Sequence, residues 1–185
     1  MVDATQCRRP RGGGGLEGLS QLEDARTKLR AGLEGALGYA LAKSSQLPEA
    51  LRHYEQGLAI RREIGDHKGE AVTLNNISQI YRAWGRYDEA LKLLEQSLAI
   101  QREIGDRAGE AATSWNLGLE YERRGDLARG LPLLESSVRI KEALTHPDLE
   151  RDQAYLAALK NRIREPGAEP SSSGVEPMIP RSDPK

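Results

Sequence analysis

The stretch LAIRREIGDHKGEAVT, Leu58 to Thr73, returns as LAIQREIGDRAGEAAT at Leu98 to Thr113, forty residues later. Self-similarity at a fixed period of this length means stacked supersecondary units that lean on their neighbours, not one enclosed core. It bears on function too. A stack offers a long surface in place of a closed catalytic pocket, and long surfaces are suited to holding other macromolecules.

Within each unit the apolar residues recur at helical spacing, Leu74, Ile77 and Tyr81 on one stretch and Leu91, Leu94 and Leu98 on the next. Glycine divides the stretches. Gly85 and Gly125 follow the first helix of their units, where a residue with positive φ ends a helix. Gly65-Asp66 and Gly105-Asp106 follow the second, the glycine terminating one helix and the aspartate capping the next. The expected spans are 67–83 and 87–104, then 107–123 and 127–144. Carried backwards, the register finds a degenerate first unit from Leu29 with Leu37, Gly38, Leu41, Ala50 and Tyr54 at the equivalent places. Carried forwards, Thr145-His146-Pro147 replaces the Gly-Asp turn, and a charged amphipathic helix over 148–164 closes the array. The expected fold is all-α, a solenoid of three helix-turn-helix units (29–68, 69–108, 109–148) plus a C-terminal capping helix, within an ordered region of 20–165.

The chain has 185 residues with 38% hydrophobic and 30% charged content, no Phe, and an apolar set dominated by Ala and Leu, which suits packed helices better than a sheet. A net charge of -1 gives no general attraction to nucleic acid or anionic membranes. Residues 1–19 (with RRPRGGGG) and 166–185 (rich in Pro, Ser and Gly) hold little to bury and are expected to be disordered. No apolar run approaches the roughly 20 residues that span a bilayer. Arg8-Arg9 lacks the apolar segment an export signal needs. Cys7 is the only cysteine, so neither an internal disulfide nor a cysteine metal site can form, and a cytoplasmic setting is expected.

The second unit reads Ile77-Ser78, Tyr81, Gly85, Tyr87, Ala90, Leu94 and Ser97; the third reads Leu117-Gly118, Tyr121, Gly125-Asp126, Gly130, Leu134 and Ser137. Small residues at Ser78 and Ala90, or Gly118 and Gly130, let two helix axes approach, with a tyrosine beside them. In this order the positions resemble the tetratricopeptide repeat (TPR). Two departures set this chain apart: the spacing is forty residues instead of thirty-four, and the usual proline after the second helix is absent. The longer form is similar to the repeats of the Leu-Gly-Asn polarity adaptors and of many bacterial TPR proteins, including sensor segments attached to signalling ATPases. The resemblance implies that the first helix of each unit lines a concave face that holds a peptide.

A step of one residue turns a helix by about 100°, so residues just past the packing stripe face that groove. They are Tyr39 and Lys43 in unit one, Asn75, Asn76, Gln79 and Arg82 in unit two, and Trp115, Asn116, Leu119 and Arg123 in unit three. Asn76 and Asn116 match an asparagine ladder seen in related proteins, and an amide both donates to and accepts from a peptide backbone; Ala36 breaks the ladder in unit one. Each site also has an ordinary structural reading, with the asparagines bonding between helices and Trp115 packing in the core. Lys43, Arg82 and Arg123 are opposed only by Glu122, which favours an acidic or amphipathic peptide.

Signals for catalysis and cofactors are poor. His53, His67 and His146 lack metal-ligand spacing, and Gly12 to Gly15 lack the Lys-Ser or Lys-Thr of a phosphate loop. The expectation is a non-enzymatic scaffold or adaptor with neither metal nor cofactor, binding a protein or peptide and no specific nucleic acid. Two other functions fit the same repeats. One is a regulatory or sensor segment acting with a signalling ATPase or transcription regulator. The other is a structural homo-oligomer assembled through the array ends.

Overall fold

The computed structural model describes residues 14–165. The disorder expected for 1–13 and 166–185 lies outside the described residues, as do Cys7 and the Arg8-Arg9 pair. Among the described residues there are seven helices and no strand: α1 (Gly14–Lys43), α2 (Leu47–Glu63), α3 (His67–Ala83), α4 (Tyr87–Glu103), α5 (Arg107–Arg123), α6 (Leu127–Ala143) and α7 (Leu149–Arg164). They pair in order, α1 with α2, α3 with α4 and α5 with α6, and α7 closes the array against α6. Residues 14–19, which composition assigns to the leader, are helical. Once past Gly15 the segment LEGLSQLEDARTKLR is rich in good helix formers, and α1 runs on from it without a break.

The turns form for the reasons legible in the chain. Gly65, Gly85, Gly105 and Gly125 lie at φ +69, +73, +70 and +76°. At the equivalent turns of the first and last units, Ser45 and Thr145 are held at φ +60 and +49°, a region L side chains occupy at a cost. The Asp66 and Asp106 carboxylates accept the Gly69 and Gly109 amides at 2.9 and 3.2 Å and cap α3 and α5.

The REIGD signature staples one unit to the next. Arg62 reaches over the turn to Glu70 (2.7 Å) and Arg102 repeats the contact with Glu110 (3.0 Å). A Cβ on Gly109 would lie 2.8 Å from both the Asp106 carboxylate and the Gln101 amide, so a side chain there would displace the cap. The most repetitive part of the sequence thus serves the joints of the array.

Packing divides into two kinds. Inside a unit the helices touch through small residues. A Cβ on Gly118 would meet Leu134 Cγ at 2.7 Å and the Gly130 carbonyl at 3.0 Å. The Ser97 and Ser137 hydroxyls donate to the Ala71 and Ala111 carbonyls at 2.8 and 2.7 Å, while Gly57 lies against the Ala31 carbonyl in unit one. Between units the contacts are apolar clusters. Tyr54 and Leu58 of α2 bury Leu74, Ile77 and Ile80 of α3. Leu94 and Leu98 of α4 bury Leu117 and Tyr121 of α5. Leu134 and Val138 of α6 bury Leu156 and Leu159 of α7. Each second helix therefore hides part of its apolar face against the following unit.

One equivalent position differs in all three units. Arg61 bonds the Thr73 hydroxyl and lies 3.6 Å from Asp66. Gln101 is buried with its Oε1 unpartnered. Lys141, also buried, forms an ion pair with the fully buried Asp152 of α7, whose other oxygen takes Arg151 at 3.1 Å.

Candidate functional site

The first helices α1, α3 and α5 set a strip of polar side chains along one face. Between α1 and α3 lies a cleft of about 280 Å³ lined by Tyr39, Ala42, Lys43, Leu47, Tyr54, Asn76, Gln79, Ile80 and Arg82. Five of the residues singled out in the sequence, Tyr39, Lys43, Asn76, Gln79 and Arg82, meet there. Two of them also line a narrow niche of about 10 Å³ with Ser78, Ala90, Leu94, Asn116 and Glu120, too small for a side chain. Gln79 and Arg82 thus join cleft and niche into one strip from α1 to α5.

The charge of the strip is positive at its rim. Lys43 stands over the Tyr39 ring, 5.4 Å from its centroid. Burial pulls the Arg82 guanidinium below its ordinary value, and Arg123 pushes the same way while Glu120 and Tyr87 oppose it. Among the described residues neither Lys43 nor Arg82 makes an ion pair. Arg123 donates to Glu120 Oε2 at 3.2 Å.

The acid of the strip is Glu120, where the sequence points to Glu122. Glu122 turns to the cap, accepting the Tyr155 hydroxyl at 2.5 Å and pairing with Arg162. Glu120 is 1% exposed, and its Oε1 has no partner. Its signal in the sequence is its place one turn after Asn116, on the same stripe.

Three of the chosen residues lie in packing contacts. Asn75 is buried between α3 and α5, donating to the Thr113 hydroxyl at 2.8 Å and accepting from Asn116 Nδ2 at 3.1 Å. Trp115 stacks edge-on to Tyr155, centroids 5.5 Å apart, with Lys141 Nζ 5.3 Å from its ring. Leu119 joins Trp115 against the α6–α7 cluster. Asn75 directly precedes Asn76 and Trp115 directly precedes Asn116, and that step of one position turns the earlier residue toward the following unit. Asn116 gives one N–H of its amide to Asn75, which leaves the other N–H and its carbonyl oxygen to the strip.

Among the described residues no group of three or more His, Cys, Asp or Glu converges on a point where a metal could sit. No helix there is long and apolar enough to cross a membrane.

The family model of the tetratricopeptide repeat matches residues 29–103 and 85–143. No curated protein matches the sequence. Among solved structures, the nearly identical TPR-like repeats designated a kinesin light chain of Podosopora anserina share 26% identity at a TM-score of 0.60, covering 71% of this chain and 65% of that one. The N-terminal domain of stress-induced protein-1 from C. elegans shares 19% identity at a TM-score of 0.55, with 71% of this chain and 97% of that chain covered. The apo form of RapI shares 19% identity at a TM-score of 0.68, with 80% and 42% covered. The chain thus spans just under two thirds of the first structure and less than half of the last.

Proposed function

Because the chain belongs to the tetratricopeptide repeat family, a family of interaction scaffolds, we propose that it is a non-enzymatic protein-interaction module that holds an acidic peptide segment on the face of α1, α3 and α5. The observation that carries this reading is the pair of cations at one cleft, Lys43 and Arg82, which make no ion pair among the described residues and share the cleft with the Asn76 and Gln79 amides. A carboxylate entering there gains charge-assisted bonds without breaking any the fold already uses. The amides serve the backbone of the same segment, since each both donates and accepts. The contact set is Tyr39, Lys43, Asn76, Gln79, Arg82, Asn116 and Arg123; Asn75, Trp115 and Leu119 support it from behind.

Titrating the full chain with labelled acidic and basic peptides of matched length tests the reading. Acidic peptides should bind more tightly, and less so as salt is raised. Lys43→Glu with Arg82→Glu should weaken them by tenfold or more, given about 1.5–3 kcal/mol for a hydrogen bond to a charged group. Equal binding of both peptide classes would defeat the reading. So would loss of binding only when Arg52 and Lys92, exposed on the second helices α2 and α4, are changed.

A further inference from the structure

The face of α1 turned away from α2 is apolar, and among the described residues no element covers it. Leu19, Leu22, Leu29 and Leu33 are 59, 68, 74 and 57% exposed, whereas Ala31 and Gly38 on the opposite side are buried. Every residue from Leu19 to Arg26 is exposed, so the first part of α1 has no neighbouring helix among the described residues. A lone stretch of that length is marginal in water by its own hydrogen bonds. An exposed leucine row of this kind calls for a partner.

The spacing says what kind. Residues 19, 22, 26, 29, 33 and 36 alternate steps of three and four, placing Leu, Leu, Arg, Leu, Leu and Ala on one seam, the pattern of a two-stranded coiled coil. One flank of the seam carries Glu23 and Arg30 seven residues apart; the other carries Ala25 and Gly32, which have no charge.

We propose that this seam is covered by α1 of a second copy running antiparallel, so that the protein is a two-fold symmetric dimer. In that order Leu22 faces Leu33 of the second copy, Leu29 faces the aliphatic stem of Arg26, and Leu19 faces Ala36. The same register sets Glu23 against Arg30 twice over, because like flanks meet in an antiparallel pair. A parallel pair would set Glu23 against the uncharged flank and leave both charges unanswered. The overlap of residues 19 to 36 runs for about 27 Å at 1.5 Å per residue. It ends before Tyr39 and Lys43, so the peptide strip stays open, and the dimer stands or falls independently of the peptide reading.

Sedimentation equilibrium of the full chain over about 1 to 100 µM tests it, since a reversible dimer is concentration-dependent. The mass should rise toward twice 20.4 kDa. Leu22→Glu with Leu29→Glu should weaken the dimer at least tenfold while the helical circular dichroism is kept. Glu23→Arg alone and Arg30→Glu alone should each weaken it, and the two together should restore it; both residues are exposed, so neither change disturbs the fold. A monomer at every concentration overturns the proposal, as does a dimer that the leucine changes leave intact. A dimer that resists each single charge reversal overturns the antiparallel order.

Discussion

At the scale of single residues, Thr145 and Asn116 show how differently two positions answer to substitution. Thr145 holds φ +49° at the turn before the cap, where the other joints of the array place glycine, and its hydroxyl does no more than bond the neighbouring Leu144 carbonyl at 2.7 Å. Thr145→Gly should therefore stabilise the protein by about 1 kcal/mol, the strain of a left-handed L residue less the added freedom of the unfolded chain; urea unfolding at constant m-value measures it. Asn116 stands between fold and ligand. Asn116→Ala removes the bond to Asn75 Oδ1 and an acceptor on the strip, so it should cost about 0.5–1.5 kcal/mol in stability and weaken acidic peptides together. A change that lowered only stability would place Asn116 outside the binding surface. The sequence marks Asn76 and Asn116 through their recurrence after forty residues, but it does not tell Asn75 from Asn76. Which of two adjacent amides faces out depends on the rotation of α3 against α5, and no local pattern records that angle.

At the scale of elements, the helix ends were legible to within a residue or two because glycine and aspartate mark them by mechanism. α3 and α5 begin and end where Gly-Asp and the following glycine place them. The start of α1 was not legible, because a run of glycines beside arginines resembles a linker whatever follows it. The close crossing of α5 and α6 gives a sharp test. Gly118→Leu places a side chain where Leu134 and the Gly130 carbonyl already lie, and should cost about 1–3 kcal/mol or more by overpacking, read as a lower denaturation midpoint. The cap has a pH signature. Burial first, and then the bond to Glu122, push the Tyr155 hydroxyl from 10.0 up to about 12. A folded value above the unfolded one means a contribution fully present below about pH 10 and lost as pH rises through about 12. Ultraviolet titration should show a late-ionising tyrosine that Tyr155→Phe removes.

At the scale of the whole molecule, the clusters between units mean that no unit is a domain. Removing residues 127–165 takes away the α6 face on which α5 crosses at Gly118 and the Ser137 bond to the Ala111 carbonyl, so it should weaken the remaining helices as well as delete α6 and α7. Circular dichroism of that truncation should melt below the full chain. Two joints built from nearly the same words raise a further matter, which is how the chain avoids assembling its units out of sequence. The position occupied by Arg61, Gln101 and Lys141 supplies an address. Lys141 is matched to an acid that only α7 provides, and Arg61 to the Thr73 hydroxyl and Asp66. The middle joint repeats the partners of Arg61 as Thr113 and Asp106, but where Asp152 stands in α7 it has Ala112, so the buried pair of Lys141 and Asp152 is the contact that no other joint can form. That one pair thus serves as a spelling check on where an otherwise repetitive chain comes to its end.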